Sequence, residues 1–124
     1  MPNAKPKVDH SERAARDLLN RKVREGVIDR RNANQIIKVG LPFVRSMLAE
    51  WRRDGCSPTW ITGKFQSIRA EAVEKCEAAS NPIVQRMTLT RVVAAEMYLA
   101  VWAGMQADLG QYNADLRSER EIDI

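Results

Sequence analysis

The chain has 124 residues, 44% apolar, 29% charged and 6% aromatic, with a formal net charge of +4 at pH 7. That length suits one domain around one core, and this balance excludes a disordered, fibrous or low-complexity chain. Cys56 and Cys76 are too few for a disulfide framework, so nothing points to an oxidising compartment.

Residues 1–8 hold two prolines and two lysines without periodic pattern and read as a flexible basic arm. Asp9 followed by Glu12 has the spacing of a capping box. Ala14, Ala15, Leu18, Leu19 and Val23 then recur at helical spacing, and Gly26 is placed to end that helix in a left-handed C-cap. Asp29 caps the next element, whose apolar positions are Ala33, Ile36, Ile37, Leu41, Val44, Met47, Leu48 and Trp51. Gly40 and Pro42 interrupt its helical spacing. Proline lacks the amide donor and disfavours helical angles at Leu41, so a break or sharp kink is expected at 40–42. Gly55 closes the segment.

Ser57-Pro58 opens another helix, with a hydroxyl cap and proline at the first helical position. Ile61, Phe65, Ile68, Ala72, Cys76 and Ala79 step along one apolar stripe, with Phe65 inside and Cys76 a small core residue. Glu71, Glu74 and Glu77 fall off that stripe, in water. Asn81-Pro82 repeats the cap-and-proline pattern and predicts a short turn of helix. Thr88 or Thr90 then caps a last long helix that is apolar nearly all round, as suits a central helix surrounded by others. The tail after Gly110 is charged and can be helical. No run alternates with period two for long enough to make a strand. The expected fold is all-α, a compact bundle of four to six helices with a mostly apolar C-terminal central helix. It comprises the arm over 1–8, one helical domain over 9–110 and the charged tail over 111–124.

The most apolar stretch, Val92 to Met105, is split by Glu96. A membrane span needs about 20 apolar residues with almost no charge, and the first ten residues hold no apolar signal core. A cytoplasmic protein without membrane contact is expected. Chemistry-bearing constellations are lacking too. His10 is the single histidine, beside the arm and far from a rigid frame for nucleophilic catalysis. Two cysteines 20 residues apart and one remote histidine do not make a zinc site, and no glycine-rich phosphate loop occurs. The expectation is a protein that is not an enzyme and takes no metal or cofactor. A metal-dependent activity would have to rest on carboxylates such as Glu71 and Glu74.

Charge is distributed unevenly. Residues 1–69 hold 15 Lys and Arg against 7 Asp and Glu, or +8, whereas residues 70–124 hold 5 against 9, or −4. Arginine supplies 14 of the 20 cations, and its planar fork grips phosphate or carboxylate in two places. Glu50 and Asp54 stand beside Arg52 and Arg53 as local partners. A basic half of this kind suits a polyanion, and the acidic half suits a protein partner or self-association.

Within Met47 to Ile61 lie a basic helix end, Gly55 at a turn, the small Cys56, the Ser57 cap and an aliphatic, Ile61, four residues after it. In its turn this stretch resembles the helix-turn-helix at the DNA-binding ends of serine resolvases and of many small regulators. The resemblance covers 15 residues and departs from the pattern in two places. Asp54 stands where an apolar residue is usual, and Trp51 where a small residue lets the helices approach. It implies that Thr59, Thr62, Lys64 and Gln66 face outward toward base edges or phosphates. Trp51, Trp60 and Phe65 also interleave with Arg52, Arg53, Lys64 and Arg69, and exposed aromatics beside cations can stack bases. Trp60 can face either way.

The expected function is that of a non-enzymatic basic helical protein that binds nucleic-acid backbone, DNA or RNA, as a regulator or a subunit of a nucleoprotein complex. Arg52 and Arg53 are the first candidates for phosphate contact. Arg24, Arg30 and Arg31 follow, clustered about the turn at Gly26 to Asp29, with Arg45, Thr59, Trp60, Lys64 and Arg69. The alternative is a helical protein–protein interaction module (inhibitor, adaptor or structural subunit) without nucleic-acid contact. The first expectation requires the arginines of the amino-terminal half to share one cationic surface.

Overall fold

Caps and glycine turns divide the chain into four α-helices: α1 (His10–Arg24), α2 (Arg30–Arg53), α3 (Pro58–Ala78) and α4 (Pro82–Ile122). They belong to a computed structural model that describes the backbone of residues 10–122 and the side chains of residues 10–110. The arm over 1–8, the Asp9 cap and the side chains of the tail lie outside the described residues. Among the described residues no strand occurs.

Both glycine turns form as the sequence predicts. Gly26 adopts φ 74° and Gly55 φ 78°. The Gly26 and Val27 amides donate to the Val23 and Lys22 carbonyls at 3.1 and 3.0 Å. Gly55 and Cys56 donate likewise to Arg52 and Trp51 at 3.1 and 2.9 Å. This crossed pair is the Schellman closure, which satisfies carbonyls left over at a helix end. The next helix starts at once. The Asp29 carboxylate accepts from the Asn32 amide at 2.7 Å, and the Ser57 hydroxyl accepts from the Trp60 amide at 3.1 Å. At the last turn the Asn81 side-chain oxygen accepts from the Ile83 amide at 2.8 Å.

Two expected interruptions do not occur. No break falls at 40–42, because α2 runs as one helix through Gly40, Leu41 and Pro42. An interior proline costs about 3 kcal/mol. Burying Ile36, Leu41, Val44 and Leu48 on one face of a continuous helix is worth about 1.5–3 kcal/mol for each side chain, so packing wins. Nor do Thr88 and Thr90 start a helix, since α4 is already under way at Pro82. Their hydroxyls donate backwards, to the Val84 and Arg86 carbonyls at 2.8 and 2.9 Å, the other local bond open to a threonine.

α4 touches each of the other three helices. From Val92 to Met105 every residue except Ala103 is buried or half-buried. α1 lies antiparallel along it. Lys22 Nζ pairs with Glu96 Oε2 at 3.2 Å, His10 Nδ1 meets Asp108 Oδ1, and the first turn of α1 rests directly on Gly104. α2 crosses at Gly40, where a side chain would strike Met97. Ile61 and Phe65 of α3 complete the core. Farther along α3 the apolar stripe shallows. Cys76 is only half-buried, its thiol 3.9 Å from the Gln85 carbonyl, because from there on α3 has only the start of α4 beside it. Glu71, Glu74 and Glu77 are exposed as expected.

Candidate nucleic-acid interface

All ten candidate residues are exposed: Arg24, Arg30, Arg31, Arg45, Arg52, Arg53, Thr59, Trp60, Lys64 and Arg69. The helices do not bring them into one cluster. Arg24, Arg30 and Arg31 meet at the α1–α2 turn, where the Arg30 guanidinium donates to the Asn20 side-chain oxygen at 2.7 Å. Arg52 and Arg53 lie at the other end of α2. The 21 residues from Arg31 to Arg52 amount to about 32 Å of helix at 1.5 Å each.

What connects the two ends is a row along α2 itself. Arg31, Lys38, Arg45 and Arg52 recur every seven residues. Seven residues fall about 20° short of two full turns, so the four positions form one shallow stripe at steps of about 10.5 Å. All four are exposed. Gln35, Pro42 and Ala49 lie between them and are exposed and uncharged. Glu50, the one acidic residue in α2, falls about 130° around the helix from the middle of the row. Lys38 is the member that the candidate set misses, and the seven-residue repeat of cations was the pattern that marks it.

Neutralisation of this row is slight. Arg45 Nη2 stands 4.0 Å from Glu12 Oε2, and Glu12 also holds Arg16 at 2.9 Å. Among the described residues, Arg31, Lys38, Arg52 and Arg53 take part in no ion pair. The expected pairing of Glu50 and Asp54 with Arg52 and Arg53 is therefore corrected. Glu50 lies about 160° around α2 from Arg52 and about 60° from Arg53, and among the described residues no ion pair joins Glu50 or Asp54 to either arginine.

The α2–α3 turn has the local chemistry of the helix-turn-helix it resembles, but the helices part company beyond it. Trp51 sits between them, its ring edge-on to Trp60 at 5.5 Å and to Phe65 at 5.2 Å. That bulk holds α2 and α3 apart, and their backbones make little contact. α3 is instead laid along α4. Thr62, expected to face outward, accepts from the Trp102 indole N–H at 2.9 Å. Trp60 keeps 46% of its surface in solvent. Lys64 and Arg69 are five residues apart and so lie about 140° apart around α3, on different faces. Trp60 stands beside Trp51 near the end of α2, whereas Thr59 lines a cleft with Thr62 and Gln106 on the α4 side of α3.

Among the described residues no group of three or more His, Cys, Asp or Glu side chains gathers to hold a metal ion. Nor, among them, is any helix long and apolar enough to cross a membrane. Tyr98 is the one described group with a displaced titration, and burial pushes its hydroxyl above the usual value. It is half-buried and packs its ring against Phe43 and Phe65 at the edge of the core. No family model, curated protein or solved structure matches the chain.

Proposed function

We propose that this is a non-enzymatic helical protein that binds nucleic-acid backbone through α2, as a regulator or a subunit of a nucleoprotein complex in the cytoplasm. The observation that carries this reading is the row of Arg31, Lys38, Arg45 and Arg52, exposed and with one acid on the whole helix. Backbone phosphates suit such a row because each cation displaces condensed counterions without needing a particular base. The test is charge reversal. Lys38→Glu with Arg52→Glu is expected to abolish low-salt binding to a mixed-sequence oligonucleotide, and unchanged binding would refute the reading.

A second reading, a protein–protein interaction module, is favoured by a different observation. On α4, Ile83, Met87, Thr90, Ala94, Met97 and Val101 alternate by four and three residues along one seam. Met97 and Val101 are fully buried, yet Ile83 and Met87 keep 71% and 57% of their surface exposed. The core seam therefore continues past the bundle uncovered, with exposed Val39 and Phe43 of α2 near its Tyr98 flank. Exposed apolar patches of this sort mark association sites. The occupant that this reading favours is a second copy of the chain, and the oligomeric state in solution decides it.

A further inference from the structure

We infer that the nucleic acid taken by α2 is double-stranded DNA, with the helix lying lengthwise in the major groove and its row of cations along one phosphate wall. This rests on the backbone-binding reading above and narrows it to one form of nucleic acid. Three features of α2 point the same way.

The first is the absence of a stacking surface. Proteins that hold single strands lay bases on aromatic rings inside a basic groove. The row and its interleaved residues, Gln35, Pro42 and Ala49, include no aromatic. The nearby exposed rings are turned elsewhere, Phe43 toward Tyr98 and Trp60 toward Trp51. A base splayed onto this face would meet only polar, small or charged side chains.

The second is shape. The buried positions of α2, from Ile36 around to Leu41, occupy about 140° of its circumference. The remaining 220° or so is a convex surface, bordered by α1 on the side of Arg30 and Arg45. An α-helix with its side chains is about 10–12 Å across, and the major groove of B-form DNA is about 12 Å wide. The deep, narrow major groove of duplex RNA does not admit it.

The third is stiffness. The cations stand about 10.5 Å apart on one unbroken helix, about 32 Å from the first to the last. A flexible single strand has to be straightened along that whole length, with four widely spaced contacts to offset its lost freedom. A duplex is already straight over this distance, with a persistence length of about 50 nm. It also carries about twice the phosphate charge per unit length of a single strand. Gln35, Pro42 and Ala49 would face the groove floor, and with one amide among them base discrimination is weak.

The experiment measures affinity by fluorescence anisotropy for a mixed-sequence DNA duplex of about 25 base pairs, each of its strands, and an RNA duplex of the same sequence. Salt is held at about 50 and then about 200 mM. Wild type is compared with Arg31→Gln, Lys38→Gln, Arg52→Gln combined, Arg45 being kept because it holds Glu12. All three replaced side chains are exposed, and circular dichroism confirms the variant's fold. The expected result is at least about tenfold tighter binding to duplex DNA than to either other form, with the salt slope reduced by about 3 in the variant. Single strands or duplex RNA bound equally well or better, with loss in the variant, overturn the duplex DNA assignment and leave backbone binding by α2 standing. Absence of binding to every form, or a variant that binds as wild type does, overturns both.

Discussion

Replacing Gly104 by alanine adds one methyl group where α1 leaves no room for it. A Cβ at that position would fall 2.7 Å from the His10 carbonyl oxygen and 2.8 Å from Ser11 Cα. Both are backbone atoms, so no side-chain rotation relieves the clash. Ordinary contact lies near 3.5–4.0 Å, and α1 would have to retreat by about 1 Å along its first turn. That movement disturbs the His10–Asp108 contact and the packing of Ala15 on the core. Overpacking of this kind costs about 1–3 kcal/mol, offset by about 1 kcal/mol gained when alanine replaces glycine inside a helix. The net expectation is a loss of up to about 2 kcal/mol, or a melting temperature lower by up to roughly 8 °C. Gly63 provides the control, since it is also helical but a Cβ there meets nothing within 4 Å. Gly63→Ala is expected to stabilise by about 0.5–1 kcal/mol. Urea unfolding followed by circular dichroism reads both, and hydrogen exchange locates the Gly104→Ala loosening in α1. A Gly104→Ala protein as stable as Gly63→Ala would refute the docking of α1 on α4.

Pro42→Ala restores an amide donor inside a continuous helix and is expected to stabilise by about 1–2 kcal/mol after the added freedom of the unfolded chain is counted; denaturant midpoints check it. Lys22→Met strands Glu96, whose side chain is only 19% exposed, and is expected to cost about 1–3 kcal/mol. Adding Glu96→Gln to Lys22→Met should recover part of that loss, as a double-mutant cycle would register. Ile83→Asp with Met87→Asp should leave stability within about 0.5 kcal/mol and yield a monomer by light scattering, and an unaltered oligomer would exclude the α4 seam as an interface. Arg52→Ala with Arg53→Ala should weaken binding to different DNA sequences by similar factors, and a sequence-dependent loss would instead indicate base contact.

Helix ends were legible in the sequence because their chemistry is local. Gly26, Gly55, Asp29, Ser57 and Asn81 each close a bond within a few residues of themselves. Pro42 was misleading for the opposite reason. Its local preference is overruled by burial of Leu41 and Val44 against the other helices, which no short window reveals. Thr88 and Thr90 have two local options, capping or bonding back to the preceding turn, and position relative to Pro82 decides between them. The candidate cations were found as a composition, but their arrangement depended on α2 being unbroken. With a break at 40–42 the seven-residue row has no meaning, and Lys38 drops out of view. Trp60 and Thr62 were resolved only by partners distant in sequence, Trp51 and Trp102.

The central claim is that α2 presents a cationic row to phosphates, and the salt dependence of wild-type binding to duplex DNA tests it most directly. Four phosphate contacts predict a straight line of log affinity against log salt with a slope near −3.6, or about −0.9 per contact. A slope near zero, or no association even in dilute buffer, would contradict it.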